Sequence, residues 1–290
     1  MSGQRGPSGR AALRGALLSA GLYGQLALVL GVPFLLLVLW SVSDGWFPPD
    51  VFPQAYTDAH WREALSDPLL GHALFSSMAI AVLVTVPSAL LSIAPAWAMS
   101  RMAPRTRRIF EWAILAPLIV PGIVIATTLG KLLLLAHLSY TWAGVVLAQL
   151  IGTLPLMIRI LCASFMRLPD DAIAAARSLG ANVYQAIWHI GLPLARNALL
   201  AGSLVVFASS LEEFDKTFVI GAPNVQTLPV LLYFRLDGAG IVFPVAAVSS
   251  LLLTLPGLLI FIVAARAAKM DQRGESHERI DTASHLEAGS

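Results

Sequence analysis

Four ionisable residues interrupt an otherwise apolar stretch of the chain: Glu212, Glu213, Asp215 and Lys216. Ionisable side chains are costly in a hydrocarbon environment, so their presence there indicates a function by default. On a helix, Glu212 and Lys216 are four residues apart and neutralise each other in part, which leaves Glu213 and Asp215 as a net negative pair. Such a pair could favour a positively charged ligand. We favour the alternative that these side chains lie near the outer end of the segment, pair with a neighbouring subunit and contact water.

A second group of residues predicts a bend in an apolar segment. Pro117 and Pro121, followed by Gly122, lie within the run PLIVPGIVIATTLG at 117–130. A proline inside a helix removes a backbone hydrogen bond and kinks the helix, which a membrane tolerates only where protein or water satisfies the released groups. This segment is therefore a candidate hinge or pore lining. An ordinary packing kink explains any single proline equally well.

Most of the chain is apolar enough to lie in lipid. Of its 290 residues, 57% are hydrophobic and 12% are charged, and the mean hydropathy is +0.75, whereas soluble domains have about a quarter of their residues charged. A helix needs roughly 20 apolar residues to cross a hydrocarbon core of about 30 Å. Six such runs predict an all-α polytopic membrane protein with six transmembrane helices. The runs are 22–42, 73–99, 110–135, 141–162, 198–221 and 241–265.

Lysine and arginine concentrate on one side of this arrangement. They lie in the N-terminal segment, in the connections after the second and fourth runs and in the C-terminal tail, and they are sparse elsewhere. Because positive residues in short loops face the cytoplasm, both termini are predicted to be cytoplasmic. The predicted organisation is a cytoplasmic segment at 1–21, a transmembrane domain at 22–268 and a disordered cytoplasmic tail at 269–290. Topology thus explains the arginines, and the net charge of +2 does not indicate nucleic acid.

The connection before the fifth run, 163–197, is longer than an ordinary elbow between spans. Its pattern predicts a first helix that starts near Pro169, with Asp171 in its first turn, and ends at Gly180 in a left-handed conformation. A second short helix begins at Asn182 and is stopped by Leu192-Pro193. The first helix has a face of small residues, which permits close packing on the chain's own bundle or in a groove of another protein. That face consists of Ala172, Ala175, Ala176 and Leu179.

This loop resembles the EAA loop of permease subunits of binding-protein-dependent ABC importers. The resemblance rests on paired alanines, a glycine four to five positions later and a Leu-Pro pair at a fixed distance from the glycine. Ala174 occupies the position of the glutamate that names the motif, and Asp170 and Asp171 lie about one turn earlier, where they are placed to substitute for it. The resemblance implies that the loop couples the chain to a cytosolic ATPase. The residues concerned are Asp171, Ala174, Ala175, Ala176, Arg177, Gly180, Leu192 and Pro193.

The resemblance covers about 70–265. The segments PLIVPGIVIATTLG and SSLEEFDKTFVIGAP (209–223) are similar to the spermidine/putrescine branch of these importers, which have the type I, methionine-importer-like fold. It implies half of a translocation pathway in a bacterial inner membrane, completed by a second, different permease, two ATPase subunits that bind ATP and Mg, and an extracytoplasmic solute-binding protein. The cargo implied is a polyamine, another small cation or an aminophosphonate. The pathway would include Pro117, Pro121, Gly122, Glu212, Glu213, Asp215 and Lys216.

The sequence lacks the motifs of a nucleotide-binding or catalytic protein. It contains no G-x-x-x-x-G-K-[ST], H-E-x-x-H or G-x-S-x-G pattern. We therefore expect no metal site, no cofactor on this chain and no enzyme activity. One alternative is an ion-coupled secondary transporter in which the carboxylates of the fifth run relay protons, but no internal repeat of the kind common in such proteins is evident. A membrane enzyme is a third alternative.

Overall fold

The computed structural model describes residues 9–46, 50, 52–237, 243–259 and 262. The predicted disordered tail at 269–290 lies outside these residues, as do the first eight residues of the predicted cytoplasmic segment and the end of the sixth apolar run. The predicted domain boundaries are accordingly not tested at either terminus.

The described chain is almost entirely helical. Its helices are α1 Gly9–Ser41, α2 Ala59–Ser66, α3 Pro68–Ser100, α4 Pro104–Ile119, α5 Gly122–Leu135, α6 Trp142–Phe165, α7 Asp170–Ser178, α8 Val183–Ala186, α9 Leu192–Leu194, α10 Arg196–Leu211, α11 Asp215–Gly221, α12 Leu228–Asp237 and α13 Phe243–Leu259, with a π-helical turn Ile187–Gly191 between α8 and α9. Strands β1 Ser43–Asp44 and β2 Ala55–Tyr56 pair antiparallel after α1.

The helices long and apolar enough to cross a membrane are α1 over Gly21–Ser41, α3 and α6. Two further crossings are obtained when each of two bent helix pairs is counted as one span, and α13 is a shorter apolar helix. Each of the six predicted runs overlaps one of these segments, although the second bent pair, Val183–Leu194 with Arg196–Leu211, overlaps the fifth run only through α10. The predicted all-α membrane fold is confirmed, with the two-stranded β1–β2 hairpin as a small addition.

The third run is not one continuous helix. α4 and α5 meet at 89°, and the two residues between them, Val120 and Pro121, are extended with ψ of 132° and 135°. Pro121 favours this break in two ways. Proline has no N–H to donate to a helix, and the residue before a proline, here Val120, is disfavoured in the helical conformation. The break thus lies where the prolines predict a bend.

The fifth run, 198–221, is broken once, and a separate bend lies just before it. The helix axis bends by 77° between Leu194 and Arg196, and α10 ends at Leu211 before α11 starts at Asp215. The helical segment that starts at Val183 ends at Leu194, one residue after Pro193, so the predicted stop at Leu192-Pro193 is confirmed to within one residue.

The core of the bundle lies between α3, α6 and α10. Over half of the apolar window of α6 is buried, against 28% for α3 and none for α1. Val84 of α3, Met157 and Phe165 of α6 and Val206 of α10 are completely buried in one cluster. Helix α6 is therefore the central element, whereas α1 is exposed along its described part.

Two glycines lie in close contact with neighbouring atoms. A Cβ on Gly202 of α10 would overlap the Met157 sulfur, and a Cβ on Gly144 would overlap the backbone carbonyl of Leu138. Gly152 differs, because its neighbour is the flexible side chain of Lys216 at 3.8 Å.

On the side of the bundle opposite the 163–197 loop, one arginine joins three helices. Arg235 of α12 forms an ion pair with Asp67 and donates to Ser249 Oγ of α13 at 3.3 Å. Asp67 also caps α3 by accepting a hydrogen bond from the Leu69 amide at 2.8 Å. These contacts fix the ends of α3, α12 and α13 relative to one another.

The contact at Gly144 predicts a stability difference between two glycine substitutions. Gly144→Ala places a methyl group against a backbone carbonyl that cannot rotate away, so we expect a loss of about 1–3 kcal/mol. Thermal unfolding of the purified protein in detergent measures it. Gly31→Ala is the matched control, because nothing lies within 4 Å of its added Cβ and alanine favours the helix. Equal unfolding temperatures for the two variants would contradict the packing at Gly144.

Candidate functional site

The loop at 163–197 folds as two helices separated by a left-handed glycine. Gly180 has φ of +88°, its N–H donates to Arg177 O and the Ala181 N–H donates to Ala176 O, both at 3.0 Å. These two bonds define a Schellman motif, which satisfies the last carbonyls of α7. The predicted conformation of Gly180 is confirmed.

The second helix begins with a reciprocal cap. Asn182 Oδ1 accepts a hydrogen bond from the Gln185 amide at 2.8 Å, and Gln185 Oε1 accepts one from the Asn182 amide at 2.9 Å. Such a capping box satisfies two helix-terminal donors at once. The predicted N-cap at Asn182 is confirmed, and the loop is a defined structure rather than a loose connector.

Most of the predicted coupling residues are on the outside of the loop. Ala176 and Leu192 are half-buried, and the others are exposed, namely Asp171, Ala174, Ala175, Arg177, Gly180 and Pro193. Leu179, an apolar residue beside Gly180, is 89% exposed. Ala174 and Ala175 do not pack in the bundle core, which argues against the interpretation that the alanines only support an elbow.

The loop is attached to the bundle through its second helix. A Cβ on Gly191 would lie 2.8 Å from the Trp97 ring of α3, and Trp97 packs edge-on against Phe165 of α6 with ring centroids 5.3 Å apart. The Arg101 guanidinium lies 4.8 Å from the centroid of the same tryptophan. Trp97 therefore links the loop to the ends of both α3 and α6.

The two helix breaks in the bundle face each other. The Asp215 carboxylate lies over Gly122, so close that a Cβ at that position would overlap it. Gly122 is the first residue of α5 and Asp215 is the first residue of α11. A carboxylate is favoured at a helix N-terminus because the free N–H groups carry partial positive charge. The structure thus brings together the break of the third run and the charges of the fifth.

The predicted ion pair between Glu212 and Lys216 is wrong. Lys216, only 6% exposed, pairs with Glu213, whose other carboxylate oxygen accepts the Lys216 amide at 3.1 Å. The i,i+4 rule does not apply, because the chain between Leu211 and Asp215 is not helical. Glu212 is exposed, so the remaining negative charge belongs to Glu212 and Asp215.

The central polar contact of this region was not predicted from the sequence. Gln149 of α6 is 1% exposed; its Oε1 accepts from Ser210 Oγ of α10, and its Nε2 donates to Thr217 Oγ1 of α11 at 3.1 Å. One side chain therefore joins the helices on both sides of the break. The signal available in the sequence was a single amide within the apolar run of α6.

The same polar layer continues to the second run. Thr153 Oγ1 lies 2.9 Å from Ser88 Oγ of α3 and donates to the Gln149 carbonyl at 3.1 Å. Hydrogen bonds among buried polar side chains of different helices fix their relative positions. Within the part of the chain that the structure describes, no group of three or more His, Cys, Asp or Glu residues could bind a metal ion.

Comparison with known proteins identifies the family. The model for the inner membrane component of binding-protein-dependent transport systems matches residues 88–271, and the chain belongs to this family. Members are transport components rather than enzymes, bind no cofactor themselves and leave nucleotide to the partner ATPase. The alternatives of an ion-coupled transporter and a membrane enzyme are thereby set aside.

Individual relatives agree with this assignment. The chain is 24% identical to the sulfoquinovosyl glycerol transport system permease protein SmoH of Agrobacterium fabrum, over 73% of this chain and 75% of the relative. It is 30% identical to the molybdenum transport system permease protein ModB of Mycobacterium tuberculosis, over 67% and 78% of the two chains. A crystal structure of a bacterial ABC transporter involved in the import of the acidic polysaccharide alginate shares the fold, with a TM-score of 0.68, 19% identity, and 91% and 99% coverage. These relatives do not support the narrower resemblance to the spermidine/putrescine branch.

The bridging role of Gln149 predicts an unequal effect of two polar-to-apolar changes. Gln149→Leu leaves the buried Ser210 and Thr217 hydroxyls without their partner, so we expect a loss of about 1–3 kcal/mol, measured as the thermal midpoint in detergent. Thr128→Val is the control, since Thr128 is exposed and bonds only to a carbonyl of its own helix. If Gln149→Leu were as stable as the control, the hydrogen bonds of Gln149 would make no contribution to the stability of the fold.

Proposed function

We propose that this chain forms half of the translocation pathway of an ABC importer. It pairs with a second permease subunit of different sequence, contacts two cytosolic ATPase subunits and receives its cargo from an extracytoplasmic solute-binding protein. The observation that supports this most strongly is the doubly capped loop at 163–197, whose first helix leaves Ala174, Ala175 and Leu179 exposed. We propose that both termini and this loop lie in the cytoplasm, which the distribution of arginine and lysine supports.

Helix α7 is the element that we propose to enter a groove of the ATPase. Ala174 and Ala175 allow a close approach of backbones, and Leu179 supplies an exposed apolar anchor. Asp171 and Arg177, both exposed, are placed to form ion pairs with the partner. Ala174 stands where the motif has a glutamate, so one such ion pair is absent. Recognition by the ATPase then depends more on the shape of the loop than on its charge.

The path from the loop to the gate follows α10. This helix begins at Arg196, directly after the bend that follows Leu194, and ends at Leu211, where the second break starts. At about 1.5 Å per residue it is about 24 Å long. We infer that movement of the loop after ATP binding displaces α10 and thereby the region of Gly122 and Asp215, which with Pro117 and Pro121 forms the gate.

The charges of the fifth run are proposed to be structural. Glu213 already has a partner in Lys216 and also accepts a backbone hydrogen bond at the break, so it is not available as a free site for a cation. The relatives are named for a sugar derivative, molybdenum and alginate, and a polyamine cargo has no support from them.

This role of Glu213 predicts partial rescue in a double variant. Glu213→Gln leaves a buried ammonium group without its counter-ion, and we expect destabilisation by about 3 kcal/mol. Combining it with Lys216→Met removes the unpaired charge and should recover much of the loss. Thermal midpoints of the four proteins of this cycle measure the coupling. A Glu213→Gln protein with unchanged stability but impaired uptake of a polycation would instead support the cationic cargo hypothesis.

The coupling role of the loop predicts a difference between two substitutions of Gly180. Valine at φ of +88° is strongly disfavoured, whereas asparagine tolerates a left-handed conformation. We expect Gly180→Val to lose most co-purifying ATPase and binding-protein-stimulated ATP hydrolysis, and Gly180→Asn to retain most of both. Membrane insertion and yield of the permease, measured in parallel, should be equal in the two variants. Retention of the full complex by Gly180→Val would refute the assignment of this loop.

A further inference from the structure

A cavity of about 590 Å³ lies between α4 and α6, near the ends of these helices that face the loop at 163–197, the proposed coupling loop. Met99 at the end of α3 and Met166 directly after α6 line the part nearest to the loop. The volume falls within the range of pockets that bind small molecules. Most of the wall is apolar and consists of residues from both helices, including Trp112, Ile114, Leu115, Pro155 and Ile158.

Two arginines on different helices line this cavity, Arg108 of α4 and Arg159 of α6. Both are exposed, and neither has a hydrogen bond or ion pair with another residue in the described part of the chain. Glu111, the acid in the same wall, lies 3.5 Å from Arg107. The cavity thus presents two unneutralised guanidinium groups beside an apolar surface.

The positions of the two arginines along their helices place both charges near one surface of the membrane. Arg159 lies within the spanning helix α6, six residues before its end at Phe165, which is about 9 Å along the axis. Arg108 is about 6 Å from the start of α4. Arginine side chains at such depths extend toward the lipid headgroups. Both guanidinium groups are therefore expected at the level of lipid phosphates in the leaflet on the coupling-loop side.

We propose that this cavity binds an anionic phospholipid, with its phosphate between Arg108 and Arg159 and an acyl chain against the apolar wall. The planar guanidinium group binds phosphate through two hydrogen bonds. Trp112, 65% exposed at the rim, is the residue type that membranes favour at headgroup level. The cytoplasmic leaflet carries the anionic lipids, which matches the proposed orientation of the chain.

The position of the cavity favours lipid over cargo. Arg108 is about 16 Å along the helix axis from the end of α4 at Ile119, and Gly122, the residue of the proposed gate, lies beyond the break that follows. α4 also has no fully buried residue among those described, so it contacts the bundle weakly. A lipid between α4 and α6 fills that gap and supports the first half of the broken third span.

The test uses the complete transporter, purified with its partner subunits and reconstituted in nanodiscs of phosphatidylcholine with phosphatidylglycerol. Native mass spectrometry after transfer to mild detergent measures which lipid is retained. We expect selective retention of phosphatidylglycerol by the wild type, and retention about thirtyfold weaker in the double variant Arg108→Gln, Arg159→Gln. Arg62→Gln is the matched control, because Arg62 is exposed on α2 and pairs locally with Asp58.

A second variant separates loss of charge from misfolding. Arg108→Lys with Arg159→Lys preserves both positive charges and should retain much more phosphatidylglycerol than the glutamine variant. Three results would overturn the proposal: equal retention in the wild type and the glutamine variant, equal loss in Arg62→Gln, or displacement of the lipid by inorganic phosphate, which would identify a site for a soluble anion. Cross-linking of position 159 to an acidic residue of the second permease would also overturn it.

Discussion

A helix that breaks inside a membrane must find new partners for the backbone groups that it releases, because lipid supplies none. In this chain that constraint applies at the break between Leu211 and Asp215. Gln149 of the central helix α6 bonds to α10 on one side and to α11 on the other, and Glu213 accepts the Lys216 amide within the break. Glu213 therefore satisfies one backbone group at the break, and Gln149 fixes the two adjoining helices through side-chain hydrogen bonds to Ser210 and Thr217.

This interruption gives α10 a defined start and a defined end. At its start, the 77° bend after Leu194 joins it to the coupling loop, which is itself attached to α3 and α6 through Trp97. At its end, the break brings Asp215 to Gly122, where the third span is also interrupted. α10 contains no proline that would kink it, and we propose that it transmits displacement as one unit. The architecture thus connects a water-exposed surface with the middle of the bundle.

The sequence alone predicts the parts of this architecture that depend on local chemistry. Hydropathy indicates the apolar runs, and Gly180 and Asn182 indicate the loop helices because a left-handed turn and a cap each select particular residue types. The ion-pair partner of Lys216 depends on whether the chain at 212–214 is helical. The i,i+4 spacing of a helix selects Glu212, whereas the non-helical chain brings Glu213 to Lys216. The bridge from Gln149 joins residues more than sixty positions apart in sequence, and no local pattern specifies such contacts. Likewise, the spacing of residues along the sequence does not show that Asp215 lies over Gly122.

The central claim is that the coupling loop and the break near Asp215 move together. Spin labels at Thr127 of α5 and at exposed Glu212, introduced after replacement of the buried Cys162, report the separation across the two facing breaks by electron double resonance. In the complete transporter in lipid, the account predicts that this distance distribution shifts when ATP is added, and that it does not shift when ATP is added to the permease pair without its ATPase subunits. An unchanged distribution in the complete, transport-competent complex would contradict the account.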